Sequence, residues 1–358
     1  MAARRPLILF YRARRGFTAR DVPEGDVYGC EFTSDAARWP EADAVLFDAA
    51  ALGRKASVPK YPGQRWVAWS LESAVHYPSL TDPAFLRHFE ITMTYHREST
   101  IWAPYVDQRV VAGLLTPPRP KRAGPPAVYL QSNPMDRSGR MPYVKELMKR
   151  VKVASFGHVM NNQGDVHIGA GREAKLALIG QYRFTLAFEN AIEPDYVTEK
   201  LYDALIAGSV PVYLGAPNVR DFAPADHCYI DASRFAGPVE LAAYLNGLVE
   251  DERAYGEYLA WKTTGLSSAF RALAAPVERP ALERLCTHLR ATFDPSRRTG
   301  GRPTYPIRSA WYRRVARRVL PPGLVGRRDR SGALGGRRSA GVIIGRESPD
   351  TDRRFAGP

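Results

Sequence analysis

Short apolar runs recur along the chain at 7–11, 44–47, 66–69, 91–95, 127–130, 151–156, 184–188 and 210–214, with longer amphipathic stretches between them. Such spacing predicts strands alternating with helices, an α/β protein. A helix is expected over 143–149, ahead of the strand at 151–156. The alternation breaks at 116–126, Thr-Pro-Pro-Arg-Pro-Lys-Arg-Ala-Gly-Pro-Pro, where five prolines remove backbone donors and disfavour helix or central strand. That break predicts one domain over 1–123 and a second over 124–293. From 294 to 358 the chain is rich in Arg, Gly and Pro and reads as a largely disordered tail. No repeat of fixed 20- to 50-residue period is visible, which argues against a solenoid.

Charge changes this picture only at the end of the chain. The 358 residues carry 51 Lys and Arg against 37 Asp and Glu, net +14. Residues 296–358 hold 16 Arg, no Lys and four acids, so +12 of that excess belongs to the tail and only +2 to the body. A nucleic-acid binder would need stacking aromatics or groove-reading helices beside its charge, and the tail offers only Tyr305, Trp311, Tyr312 and Phe355. Nucleic acid is therefore not an expected partner.

Cys30, Cys228 and Cys286 are odd in number and far apart, with no His at ligand spacing, so neither a disulfide framework nor a zinc site is expected. The only Asp-x-Asp is Asp350-Thr-Asp352, in the tail; a tightly bound divalent metal is not expected. The apolar run at 7–11 is too short for a signal-peptide core and reads as a first strand in a cytoplasmic protein.

The densest chemistry lies in Phe184-Thr-Leu-Ala-Phe-Glu-Asn190, Asp195-Tyr-Val-Thr-Glu-Lys-Leu201 and Ser209-Val-Pro-Val-Tyr-Leu-Gly215. A buried strand delivers Glu189 and Asn190 to its carboxyl end. Asp195 is expected to cap the following helix, whose inner side is Val197, Leu201, Ala204 and Leu205, and Gly208 to stop it. Tyr196, Glu199 and Lys200 then stand beside the strand end, where a doubly wound sheet binds ligands and a helix N-terminus favours phosphate. The plain alternative is a solvated Glu-Lys face and a loop-capping Asn.

These segments, continued by Ala216-Pro-Asn-Val-Arg-Asp-Phe-Ala-Pro224 and Tyr258-Leu-Ala-Trp-Lys262, closely resemble the signature of glycosyltransferase family 10, the α-1,3/α-1,4-fucosyltransferases. In the first half, Trp66-Val-Ala-Trp-Ser-Leu-Glu-Ser73 with His76, and Thr92 to Tyr105, are similar to family landmarks. The likeness covers about 7–290. Ala191 departs from it, many members having Ser there.

The resemblance implies a GT-B enzyme, two Rossmann-like domains facing a cleft, the first binding acceptor and the second GDP-fucose. It implies donor contacts from Arg140, Asn190, Tyr196, Glu199 and Lys200, with Arg137 a competitor for the role of Arg140. Glu72, after the strand at 66–69, is the implied catalytic base, with Glu189 its competitor; Ser73 and His76 are implied to line the acceptor groove. His158 is open between guanine contact and turn cap. The implied reaction is inverting transfer of fucose from GDP-β-L-fucose to a GlcNAc hydroxyl, O3 by family default, of an N-acetyllactosamine-type oligosaccharide or glycoconjugate, with no tightly bound cofactor. The alternative class is a GT-B transferase using another nucleotide sugar.

In the tail, 309–320 places Trp311, Val315 and Val319 on one helical side and Arg313, Arg314, Arg317 and Arg318 largely around the other. This is a candidate peripheral helix for an anionic membrane surface, against the alternative of a solubilising tail. The expected location is the cytoplasm, at the inner face of the membrane where the tail binds lipid; a Golgi location would apply only to a chain lacking its membrane anchor.

Overall fold

The apolar runs assemble into two sheets. Strands β1 (Leu7–Tyr11), β2 (Gly25–Val27), β3 (Cys30–Thr33), β4 (Ala44–Asp48), β5 (Arg65–Ser70), β6 (Ile91–Thr94) and β7 (Ile101–Trp102) form the first, in the order β2-β3-β1-β4-β5-β6-β7. All its pairs are parallel except β2 against β3. Strands β8 (Ala127–Leu130), β9 (Val153–Phe156), β10 (Phe184–Phe188), β11 (Val210–Leu214) and β12 (Ile230–Asp231) form the second, parallel throughout, in the order β12-β11-β10-β8-β9. The computed structural model describes residues 4–11, 23–52, 58–164, 166, 169, 171–294, 296 and 301–307, all within the unit Met1–Ser309. The tail beyond, including the helix expected at 309–320, lies outside the described residues.

Parallel strands covered on both faces are continuously apolar rather than alternating. Accordingly all five residues of β10 are buried, and the strand pairs residue for residue with β11 from Phe184↔Val210 to Phe188↔Leu214. The strand expected at 151–156 begins at Val153, and the expected helix runs Arg140–Leu147. In the second sheet the chain leaves β8 for β9 on one side and returns to β10 on the other. The carboxyl ends of β8 and β10 therefore diverge into a crevice, the usual ligand position of a doubly wound sheet.

The helix Ala281–Arg290, which the sequence order groups with the second sheet, covers the first. Leu285, Cys286 and Leu289 are buried in a core with Ile8, Phe10, Phe32 and Val67. Its apolar stripe was readable, but period alone does not say which sheet it covers. The expected onset of the tail at 294 is also too early for the backbone. Thr304 and Lys60 exchange N–H to carbonyl bonds at 2.8 Å each way, and Ile307 packs on the first core.

Candidate active site

Beyond β10, the Glu189 N–H donates to Leu214 O at 2.8 Å, extending the ladder by one residue. The Glu189 side chain then turns inward, fully buried. Oε1 accepts from Thr198 N and Oε2 from Thr198 Oγ1, both at 2.8 Å. Gly215 permits this, since a Cβ there would lie 2.5 Å from Glu189 Cγ. Thr198 caps the helix Glu199–Ala207, accepting from Lys200 N, and Gly208 at φ +71° ends it.

Asp195, expected as the cap, does something else. It sits at φ +65°, takes the Arg97 N–H on Oδ2 at 3.0 Å, and exchanges two bonds with the side chain of Asn218 at 2.8 and 2.9 Å. Asp tolerates the left-handed region better than most residues, and these bonds hold it in the turn three residues before the cap.

Lys200 reaches back over the first turn, where its Nζ donates to Thr198 Oγ1 at 2.9 Å and lies 3.2 Å from both Glu189 Oε2 and Glu199 Oε1. Burial alone would depress the ammonium, but Glu189 and Glu199 outweigh it and hold Lys200 above the ordinary lysine value. Burial likewise opposes the Glu199 charge, yet Lys200 and Lys175 bring that carboxyl down to about 2. Both groups stay charged across the neutral range.

A cavity of about 420 Å³ opens at the crevice between β8 and β10. From the second half it is lined by Gln131, Asn133, Arg140, Lys175, Asn190, Tyr196, Glu199 and Lys200, and from the first by Glu72 and Tyr105. Arg140 is buried, its Nη1 on Phe188 O and its Nη2 on Asn133 O and Met135 O, all at 3.1 Å, while Nε has no partner. Arg137 is exposed and outside the lining, so the geometry favours Arg140 of the two. Asn190 Oδ1 is also buried without a partner, an acceptor held ready for a hydroxyl or N–H.

Glu72 follows β5, its N–H on Ser70 Oγ at 3.0 Å, with Tyr105 Oη on the adjacent Leu71 carbonyl at 2.6 Å. The residue is exposed, but the walls around the cleft desolvate its carboxyl and push it above the ordinary value. His76 and Lys200 pull the other way, while Asp48 and Glu199 add to the rise. Glu189, the competitor, has both oxygens committed inside the protein.

Ser73 does not face an open groove. It is fully buried and its Oγ donates to Glu193 Oε2. His76 is half-buried, its Nε2 3.2 Å from Asn190 O, and bridges the two halves. His158 is exposed and outside the cavity lining, while Asn162 closes the turn after β9 by bonding Ser155 N and Val153 O. Sequence reading missed Lys175, which lines the cavity and pairs with the buried Asp203 at 2.8 Å, beside Arg172 at 2.7 Å. The i, i+3 spacing of Arg172 and Lys175 was the only signal, and it is common on solvated helices. It also missed Glu193, whose partner lies 120 residues away.

A family model for the C-terminal part of glycosyltransferase family 10 (fucosyltransferase) matches 120–299, and a fucosyltransferase N-terminal model matches 3–106. The chain belongs to glycosyltransferase family 10. It is 31% identical over 252 residues to alpha-(1,3)-fucosyltransferase B of Drosophila melanogaster, covering 65% of this chain and 56% of that one. It is 33% identical over 297 residues to GDP-fucose protein O-fucosyltransferase 3 of Canis lupus familiaris, covering 76% and 61%. The chain spans about half the length of the curated relatives it matches. A crystal structure of an alpha1,3-fucosyltransferase shares the fold, with a TM-score of 0.54 over 85% of this chain and 94% of that one at 16% identity. The two sheets are thus the cores of the two Rossmann-like domains of a GT-B fold, as the resemblance implied.

Proposed function

We propose that the protein transfers L-fucose from GDP-β-L-fucose to O3 of GlcNAc in an N-acetyllactosamine-type glycan, with inversion to an α-fucoside. The observation that carries this reading is the shared cavity, where Glu72 of the first half stands across from Asn190, Tyr196, Glu199 and Lys200 of the second. The diphosphate binds at the start of the Glu199–Ala207 helix, where the Lys200 ammonium and the helix N-terminus favour anions. Arg140 supports that end from behind, and Asn190 Oδ1 accepts from a sugar hydroxyl.

In the transfer step the acceptor oxygen bonds to fucose C1 as the bond from C1 to the phosphate oxygen breaks. The bonding pair leaves with GDP, whose charge Lys200 and Arg140 offset. Glu72 takes the acceptor proton. Inversion needs one base on the face opposite the leaving group, and Glu72 is the carboxylate that the first half brings to the cavity.

The canine relative, named a protein O-fucosyltransferase, favours a second reading in which the acceptor is a protein hydroxyl and the donor chemistry is unchanged. Titrating the protein with GDP, UDP and ADP tests the donor. Incubation with GDP-fucose and a panel of N-acetyllactosamine and peptide acceptors, with linkage read by NMR, tests the acceptor. Preferential GDP binding and an α1,3-linked product are expected; tighter UDP binding would remove the donor assignment, and a fucosylated peptide with inert glycans would replace the acceptor.

A further inference from the structure

The donor segment of the second half and the base loop of the first are joined through one carboxylate that the proposed reaction does not use. Glu193 is buried. Its Oε2 accepts from Ser73 Oγ and, at 3.4 Å, from Val75 N, and its Oε1 lies 3.2 Å from His96 Nε2. Ser73 is the residue after Glu72, and Glu193 stands between Asn190 and Tyr196 on the donor side. The same seam holds His76 Nε2 against Asn190 O and a Tyr95–Tyr196 ring contact at 5.0 Å, with Ala191 in the same buried cluster. Tyr95 in turn takes the Ala74 N–H on its hydroxyl at 3.1 Å.

We propose that Glu193 is a positioning residue for fucosyl transfer, a clasp that fixes the Glu72 loop relative to Asn190 and Tyr196. The inference rests on the assignment of Glu72 as base. Glu193 touches neither the cavity nor a substrate position; it acts through Ser73 and the Val75 N–H. Burial would favour a neutral Glu193, but His96, Ser73 and Tyr95 outweigh that and hold the carboxyl below its ordinary value. It therefore remains the acceptor these donors require. Lys200 and Arg140 are held by other partners, Lys200 by Thr198, Glu199 and Glu189 and Arg140 by three backbone carbonyls, so loss of the clasp displaces the base without removing the cations of the donor site.

The test compares Glu193→Ala, Glu193→Gln, Ser73→Ala and the double alanine variant of the full chain. It reads kcat, the KM for GDP-fucose and GDP affinity by calorimetry, with the acceptor that wild type uses. Since a misplacement of about 1 Å can cost about 100-fold, Glu193→Ala should lose about 10- to 100-fold in kcat with GDP affinity near wild type. Glu193→Gln keeps an acceptor for Ser73 and Val75 and should recover most of the rate. Two residues acting through one contact are non-additive, so the double variant should be no worse than Glu193→Ala. Wild-type kcat in Glu193→Ala, equal loss of GDP affinity and kcat, or additive single effects would each overturn the clasp. Should Glu193→Ala fail to fold, Ser73→Ala decides alone: reduced kcat with intact GDP affinity supports the clasp, and unchanged kcat sinks it. Glu72→Gln measured in parallel separates the two ideas, because a normal rate there removes the base assignment whatever Glu193 does.

Discussion

The Lys200 ammonium lies 3.2 Å from the fully buried carboxylate of Glu189, so the cation that the proposed reaction sets on the diphosphate is also the counter-charge of a group in the second sheet's own core. The arrangement makes donor binding and folding share one side chain. Glu189 in turn holds Thr198, the residue that starts the helix.

Removing Lys200 should therefore do two things. Burial pushes the Glu189 carboxyl above its ordinary value and Lys200 opposes that, so Lys200→Ala leaves Glu189 without its counter-charge and drives it to take up a proton. Breaking such a buried pair costs up to about 3–5 kcal/mol, and the urea midpoint should fall along with GDP affinity. The double variant Lys200→Met with Glu189→Gln removes both charges; it should regain most of the stability but not GDP binding. Restored GDP binding in that double variant would show that Lys200 does not contact the diphosphate.

Glu72→Gln separates binding from chemistry. Loss of general-base help lowers kcat by about 10²- to 10⁴-fold, with GDP affinity near wild type. Because the carboxyl is held above its ordinary value and acts deprotonated, the wild-type rate should fall with decreasing pH at a point above the usual carboxylate range. That acid limb should vanish from the residual activity of the variant. A variant with normal kcat would pass the role to another carboxylate, and Asp48, at the neighbouring strand end, would be the first to test.

The strands at 127–130, 184–188 and 210–214 were legible to the residue because parallel strands buried on both faces are short, uninterrupted apolar runs. The placement of Asn190, Tyr196, Glu199 and Lys200 at a strand end and helix start was legible from the chain's own pattern, but preferring them to an ordinary solvated Glu-Lys pair, and singling out Glu72, rested on resemblance to a family. Asp195 misled because its residue type suits a cap, whereas Asn218, 23 residues away, holds it in a left-handed turn. The partners of Glu193, Ser73 and the Ala281–Arg290 helix were invisible for one shared reason. Those partners belong to the other half of the chain, and local periodicity marks a buried face without naming what covers it.

Lys262 shows the same limit and yields a stability prediction. Its Nζ donates to Leu114 O at 2.7 Å and Thr116 O at 2.9 Å, pinning the start of the proline-rich connection to the second half. Lys262→Ala strands the buried Leu114 carbonyl at a cost of about 1–3 kcal/mol. Burial, with Lys121 adding to it, lowers the Lys262 ammonium to about 8 from 10.5. The unfolded chain then binds more protons above that value, so the folded state gains stability as pH rises through this window. The deficit of the variant should accordingly be larger at about pH 9.5 than at neutral pH. Urea melts at both values check this, and a deficit that shrinks with pH would reverse the assignment.

In the proposed reaction the charge that offsets the leaving diphosphate comes from the side chains of Lys200 and Arg140. Turnover should therefore be unchanged by EDTA after extensive dialysis. Activity lost to the chelator and restored by Mg²⁺ or Mn²⁺ would require a metal-bridged donor.

The last prediction concerns the basic tail, and the fold changes where it must be cut. Removing the tail from its expected onset at 294 would delete the Thr304 pairing to Lys60 and the Ile307 contact with the first core. Truncation after Ile307 spares all of these. It removes Arg313, Arg314, Arg317 and Arg318 with Trp311, Val315 and Val319, the residues whose helical spacing motivates a membrane-surface segment. Each Arg near an anionic surface contributes about 1 kcal/mol, so the full chain should sediment with phosphatidylserine vesicles at low salt and be released as salt rises. The truncated chain should stay in the supernatant while fucosylating a soluble acceptor at the wild-type rate. Equal vesicle binding by both chains would remove the tail as an anchor, and lost activity after the cut would show that residues beyond Ile307 belong to the catalytic body.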